Sequence, residues 1–173
     1  MGADGLIIGL DVAGNTGIAE GIPGSTPHLY SQRFLLEDDN PPIQAFGRAT
    51  AWAARRYREI NPIAVFVEAT IPDTALHGRT HHNAQMIKLG LYACLTGIAV
   101  ARGIPVFAVN IAKYRKAFTG HGGLTGADGK RFVRDQCRLL GWDPPDLDAS
   151  DAAAVWSWGC SQSSSLFQTK MQF

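Results

Sequence analysis

The run PIAVFVEA at residues 62–69 constrains this chain most. Its apolar positions are nearly continuous rather than alternating, so a strand built from it must be covered on both faces, as interior parallel strands are. Helices on both sides of one sheet follow from that requirement. The run also ends in a carboxylate, Glu68, that nothing in such a strand needs. A buried acid is costly unless it is paired or bound to a metal ion.

A second strand has the same character. Residues 5–11 contain LIIGLD and end on Asp11 before a Gly-Asn turn. TGIAEGI (16–22) and HLYSQRFLL (28–36) follow as further strands, and three short strands joined by small turns predict an antiparallel meander. Residues 43–60 predict a helix, with Phe46, Ala49, Trp52 or Ala53, and Tyr57 on one face. After the 62–69 strand come a helix over 83–102, a strand at 105–109 and the short helix IAKYRKAF. Helices at 128–140 and 149–160 complete the pattern, with the tail SQSSSLFQTKMQF unassigned. The reading is one α/β domain over residues 1–160, with 161–173 as a C-terminal tail. Its expected sheet has five strands, a three-strand antiparallel meander plus two parallel strands, flanked by helices.

Asp148 and Asp151 open the last helix in DASDAAAVW, three residues apart and therefore on one face. If the strands ending in Asp11 and Glu68 are neighbours, those two carboxylates lie about one strand spacing, ~4.8 Å, apart. Four such acids repel one another when ionised, and a hard divalent cation with oxygen ligands relieves the repulsion. Two Mg²⁺ ions about 4 Å apart would activate a water and hold the leaving oxygen in phosphodiester hydrolysis; Mn²⁺, equally suited to oxygen ligands, could substitute. Each acid has a plainer reading too. Asp148 could cap the helix with Asp151 as the acid of its first turn, and Asp11 could hold an Asx-turn before Gly14.

Net charge is only +1, yet it is unevenly laid out. Residues 81–140 carry nine basic and two acidic side chains, while the segments on either side are each net −3. Lys113, Arg115 and Lys116 follow the 105–109 strand, and Lys130, Arg131, Arg134 and Arg138 lie on the next helix. Basic groups on the same rim as an acidic metal site suit a polyanion held by its phosphates. The loop 120–129 between them has five glycines and carries His121, a further group able to touch DNA. It is no P-loop: Arg rather than Ser or Thr follows the GK pair, and no strand precedes it. His77, His81 and His82 lack regular ligand spacing, and the four tryptophans read as packing residues, while Tyr114 and Phe118 could stack on bases or, more plainly, pack in the core or rim.

Three cysteines without a CxxC pair fit neither a disulfide scaffold nor a thiolate zinc site, and suit a reducing compartment. The N-terminus lacks a signal peptide's basic and apolar regions, so a cytoplasmic protein is expected. LGLYACLTGIAVA, 13 residues between Lys88 and Arg102, is too short and Gly-rich to predict a membrane span. The 83–102 helix is nonetheless apolar around its circumference, so it must be covered, either by a second subunit or by the last helix of its own chain.

Together these segments resemble the RuvC-type crossover junction endodeoxyribonucleases, of the ribonuclease H-like fold, over roughly residues 5–160. LIIGLDVAGNTGIAEG is similar to the family's opening strand and turn, AVFVEA to its fourth strand, and DLDASDAAAVWSW to its closing helix. The resemblance implies Asp11, Glu68, Asp148 and Asp151 as catalytic metal ligands for two Mg²⁺ ions. MIKLGLYACLTGIAVARGIPVFAV is similar to the family's long helix and following strand, which implies a homodimer through helix 83–102. KYRKAFTGHG resembles a basic segment, implying DNA contact by Arg115 and Lys116, with Lys130 matching a further DNA-contacting lysine. The implied substrate is a four-way DNA junction, nicked symmetrically to leave 5′-phosphate and 3′-hydroxyl ends.

Three features depart from that pattern. Ile71 stands where the family often has a wedging aromatic, residues 69–83 differ in form, and the 120–129 loop is longer and richer in glycine. Other readings are a related nuclease for branched DNA or RNA–DNA hybrids, and a catalytically inactive DNA-binding dimer. An ATP-binding protein of the actin or sugar-kinase type would need two such domains, more than 173 residues hold.

Overall fold

The computed structural model describes residues 5–39, 42–70, 82–121, 123 and 126–170, with side chains as far as residue 162 except that of His82. Strands β1 (Ile7–Asp11), β2 (Asn15–Gly21) and β3 (His28–Arg33) form the antiparallel meander. Helix α1 (Ile43–Ile60) leads to β4 (Ala64–Glu68), and helix α2 (His82–Ala101) to β5 (Val106–Val109). Helices α3 (Ile111–Thr119), α4 (Gly126–Leu139) and α5 (Leu147–Lys170) follow. The sheet order is β3-β2-β1-β4-β5, with β4 parallel to both β1 and β5. This is the expected mixed five-stranded, helix-flanked sheet, and its topology is ribonuclease H-like. Element ends differ from the sequence reading by a few residues, except that α5 continues ten residues beyond 160.

All five residues of β1 and of β4 are buried, because helices cover both faces. Ile8, Leu10, Val65 and Val67 meet α1 and α2 through Ala49, Trp52, Tyr57, Leu91 and Leu95. Ile7, Ala64 and Phe66 meet α3, α4 and α5 through Tyr114, Val133, Ala152 and Trp156. Side chains alternate along a strand, so Asp11 shares the α5 face with Ile7, and Glu68 shares it with Ala64 and Phe66.

Small residues bring α5 unusually close to that face. A Cβ at Gly9 would lie 2.6 Å from both Ala152 O and Trp156 N, and one at Gly17 would lie 1.9 Å from Asp148 O. On the helix side, Ala149, Ala152 and Ala153 are fully buried. The first turn of α5 therefore rests directly on the strand ends.

Helix α2 lies on the opposite face from α5 and is not hidden beneath it. Leu91, Leu95 and Ala99 dock it on the core, while Met86, Leu89 and Val100 are more than half exposed. Contrary to the sequence reading, Asn83–Ala101 is long and apolar enough to cross a membrane. The difference is Lys88, which lies within that stretch and carries the only charge in it.

Candidate active site

Asp11 and Glu68 come together because β1 and β4 are neighbouring parallel strands. Their register pairs Leu10 with Val67, so the next residues are the two acids. Both are 5% exposed and project onto the face covered by α5. Asp148 and Asp151, at the second and fifth positions of that helix, approach from above.

The plainer readings of Asp11 and Asp148 do not survive the geometry. The turn after β1 is closed by Thr16, whose hydroxyl donates to Ala13 O at 2.7 Å, not by Asp11. The cap of α5 is Asp146, which accepts the Ala149 amide at 2.8 Å. Ser31 Oγ also donates to Asp146 at 2.8 Å, and these bonds hold its carboxyl below the ordinary carboxylate range despite partial burial. Asp148 is thereby left free to face the strands, where Asn15 Nδ2 donates to its Oδ2 at 2.9 Å.

Each remaining acid has its own partner. Glu68 accepts from Lys88 Nζ at 3.0 Å and from the buried Tyr114 hydroxyl at 2.8 Å. Asp151, fully buried, accepts from Arg115 Nη2 at 3.0 Å through Oδ2, while its Oδ1 has no hydrogen-bond partner among the described residues. Lys130 Nζ stands among three carboxylates, 2.7 Å from Asp148 Oδ1, 3.5 Å from Asp11 Oδ2 and 3.6 Å from Asp151 Oδ2. Asp146, Asn15, Lys88 and Tyr114 were not singled out as site residues from sequence. The DLD spacing before α5 was the available signal for Asp146; the others need the fold to be seen.

The electrostatics record this crowding. Burial, and then the charge of Glu68, raise the Asp11 carboxyl from 3.8 to about 7, against the pull of Lys130. Burial also raises Asp151, opposed by Arg115 and Lys130. Burial disfavours the Lys130 charge, but Asp11, Asp148 and Asp151 together hold its ammonium above the ordinary lysine value.

The oxygen-only acid set and the unpartnered Asp151 Oδ1 fit a hard divalent cation. As the side chains stand, however, no group of three His, Cys, Asp or Glu among the described residues is placed to hold a metal ion. The acids are assembled, but around an ammonium.

The predicted DNA contacts divide. Lys113, Lys116, His121 and Arg131 are exposed, and Arg134 is half-buried with its Nε unpartnered among the described residues. Arg115, 8% exposed, and Lys130 are instead engaged with the acids. Phe118 and Trp142 stack on each other at 5.9 Å as part of the α5-side core. Ile71, His77 and His81 lie outside the described residues.

No protein-family model matches the chain, and no curated protein sequence matches it. Solved structures do. RuvC of T. thermophilus in complex with a Holliday junction substrate aligns with TM-score 0.68 at 20% identity, over 95% of this chain and 97% of that one. A second Thermus thermophilus RuvC structure aligns at 0.65 and 19% identity, over 88% and 91%. The yeast mitochondrial Holliday junction resolvase Ydc2 aligns at 0.63 and 12% identity, over 94% and 80%. At these identities the likeness is one of fold.

Proposed function

We propose that this protein is a metal-dependent endonuclease that resolves four-way DNA junctions by paired, symmetric nicks. The observation that carries the reading is the gathering of Asp11, Glu68, Asp148 and Asp151 at one end of a ribonuclease H-like sheet. The likeness to solved junction resolvases, one of them in complex with its substrate, supports the choice of junction over other DNA.

In this reading Asp11, Glu68 and Asp148 would hold two Mg²⁺ ions, with Asp151 as a further ligand or as a group that orients one. Bound ions would supply an activated water and hold the leaving oxygen, giving 5′-phosphate and 3′-hydroxyl ends. The chain's own groups set the ligands in place. Tyr114 fixes Glu68, Asn15 fixes Asp148, and Arg115 fixes Asp151. Exposed Lys113, Lys116, Arg131 and His121 take backbone phosphates without reading bases. Residues 1–160 form the nuclease domain of a cytoplasmic protein, and residues 161–170 add the end of α5.

A two-fold symmetric junction cut at two points needs two active sites, and one domain has one. Homodimerisation through α2 supplies the second. Exposed Met86, Leu89, Ala93, Gly97 and Val100 recur at steps of three and four, a seam suited to a second copy of the same helix.

The test is incubation with Mg²⁺ and labelled four-way junction, duplex and RNA–DNA hybrid, with Asp11→Asn as control. Symmetric junction nicks, reduced at least about 100-fold in the variant, are expected. Equal cutting of all substrates, or none of the junction, would sink the proposal. Mg²⁺-independent junction binding without cutting would favour the inactive DNA-binding dimer, a reading that the ammonium among the acids supports.

A further inference from the structure

Lys130 stands where a cation of a different kind belongs. Its ammonium has three donors and no acceptor, and it faces Asp148, Asp11 and Asp151 at 2.7, 3.5 and 3.6 Å. Arg115 is buried beside Asp151, and Lys88 reaches Glu68 from α2 on the far side of the sheet. Among the described residues three cations thus offset four carboxylates. Among them Lys130 alone touches three acids, and a third of its side chain is open to solvent. It therefore has a way out that needs no unfolding. It also sits on the first turns of α4, four residues after Gly126, where an added Cβ would meet nothing within 4 Å among the described residues.

An ammonium and a divalent cation cannot share the space between the same three carboxylates, because their repulsion is strong in a half-buried site. We infer that Lys130 is a resident counter-ion that holds the acids together before loading and must swing away for a divalent cation to enter. The inference rests on the reading of the acids as a metal site. It gives Lys130 two positions: bonded to the acids without metal, and at the mouth of the site with it. There the released charge faces the side from which a phosphate backbone arrives. Metal loading and the exposure of a phosphate-binding group then become one event.

The test measures binding rather than cutting. Mn²⁺ titration followed by electron paramagnetic resonance, on the full chain and on Lys130→Met, is expected to show at least about tenfold tighter binding by the variant, since one opposing charge is gone. A second arm uses the unaltered protein and does not depend on the variant's folding. Acetylation of individual lysines, read by peptide mass spectrometry, should rise severalfold at Lys130 on saturation with Mg²⁺, with exposed Lys113 and Lys116 unchanged as internal references. If the full chain binds Mn²⁺ but Lys130→Met binds it no more tightly, the inference is overturned while the metal site stands. An unchanged Lys130 acetylation rate in the Mg²⁺-saturated protein overturns it equally. If neither protein binds Mn²⁺, the inference falls together with the reading of the acids as metal ligands.

Discussion

Asp11 concentrates the electrostatic strain of the site. With its carboxyl raised from 3.8 to about 7 by burial and by Glu68, the folded chain holds a proton that the unfolded chain has already released. The folded state therefore gains stability from this group below about pH 4 and loses it as pH rises through about 7. Over that window the change from Asp11 alone amounts to at most about 4 kcal/mol. Asp11→Asn, which has nothing to titrate, should show a flatter decline than the parent between pH 4 and 8, measured by urea unfolding in the presence of a chelator. Identical slopes for the two proteins would mean that Asp11 is solvated like a surface carboxylate. Buried Glu20, by contrast, is held by partners of its own. Arg56 and the Tyr30 hydroxyl both bond it on the α1 face, tying β2 and β3 to α1 with no bearing on the acids.

The contact between α5 and the sheet decides whether the two halves of the acid cluster meet. It is made of absences: Gly9 and Gly17 on the strands, Gly159 and the buried alanines on the helix. A methyl at Gly17 would sit 1.9 Å from Asp148 O, backbone that cannot step aside. Gly17→Ala should therefore lift the first turn of α5, at a cost of about 1–3 kcal/mol in stability and with weaker Mn²⁺ binding as Asp148 and Asp151 withdraw. Gly123→Ala, where a Cβ meets nothing within 4 Å among the described residues, is the control expected to change neither. Thermal unfolding and metal titration of the pair distinguish a lifted helix from a general glycine effect. Nothing in the sequence distinguishes these glycines from any others, since a close approach has no signature until the partner helix is placed over it.

For the molecule as a whole, the weak total charge conceals a division of labour. Acids are drawn into the site and covered by Lys88, Arg115 and Lys130, while Lys113, Lys116 and Arg131 stay on the surface. The basic segment is therefore partly spent internally, and fewer cations face a polyanion than the net +7 of residues 81–140 suggests. Assembly is testable at the same scale. Gly97 lies on the exposed side of α2 with nothing within 4 Å of a Cβ among the described residues, so Gly97→Lys leaves the described packing intact. Replacing a helical glycine should even stabilise the lone protomer by up to about 1 kcal/mol. Self-association through the α2 seam should nevertheless be lost, as read by sedimentation velocity at matched concentration. A parent protein that sediments as a monomer would remove the dimer from the proposed mechanism.

The sequence by itself determined the strand and helix pattern, because doubly covered strands leave continuous apolar runs and amphipathic helices leave periodic apolar stripes, and both are local in the chain. It also isolated Glu68 as an acid without a structural excuse, and it placed Asp148 and Asp151 on one helical face. Which groups surround those acids was decided only by the tertiary structure. Asp146 rather than Asp148 caps α5, Thr16 rather than Asp11 closes the first turn, and Arg115 turns inward to Asp151. Lys130 stands 18 residues from Asp148 in sequence and well over 100 from Asp11, yet bonds the first and pairs with the second. Long-range electrostatics of this kind depends on distances of a few ångströms between separate elements, and those distances exist only once the sheet and α5 have closed on each other.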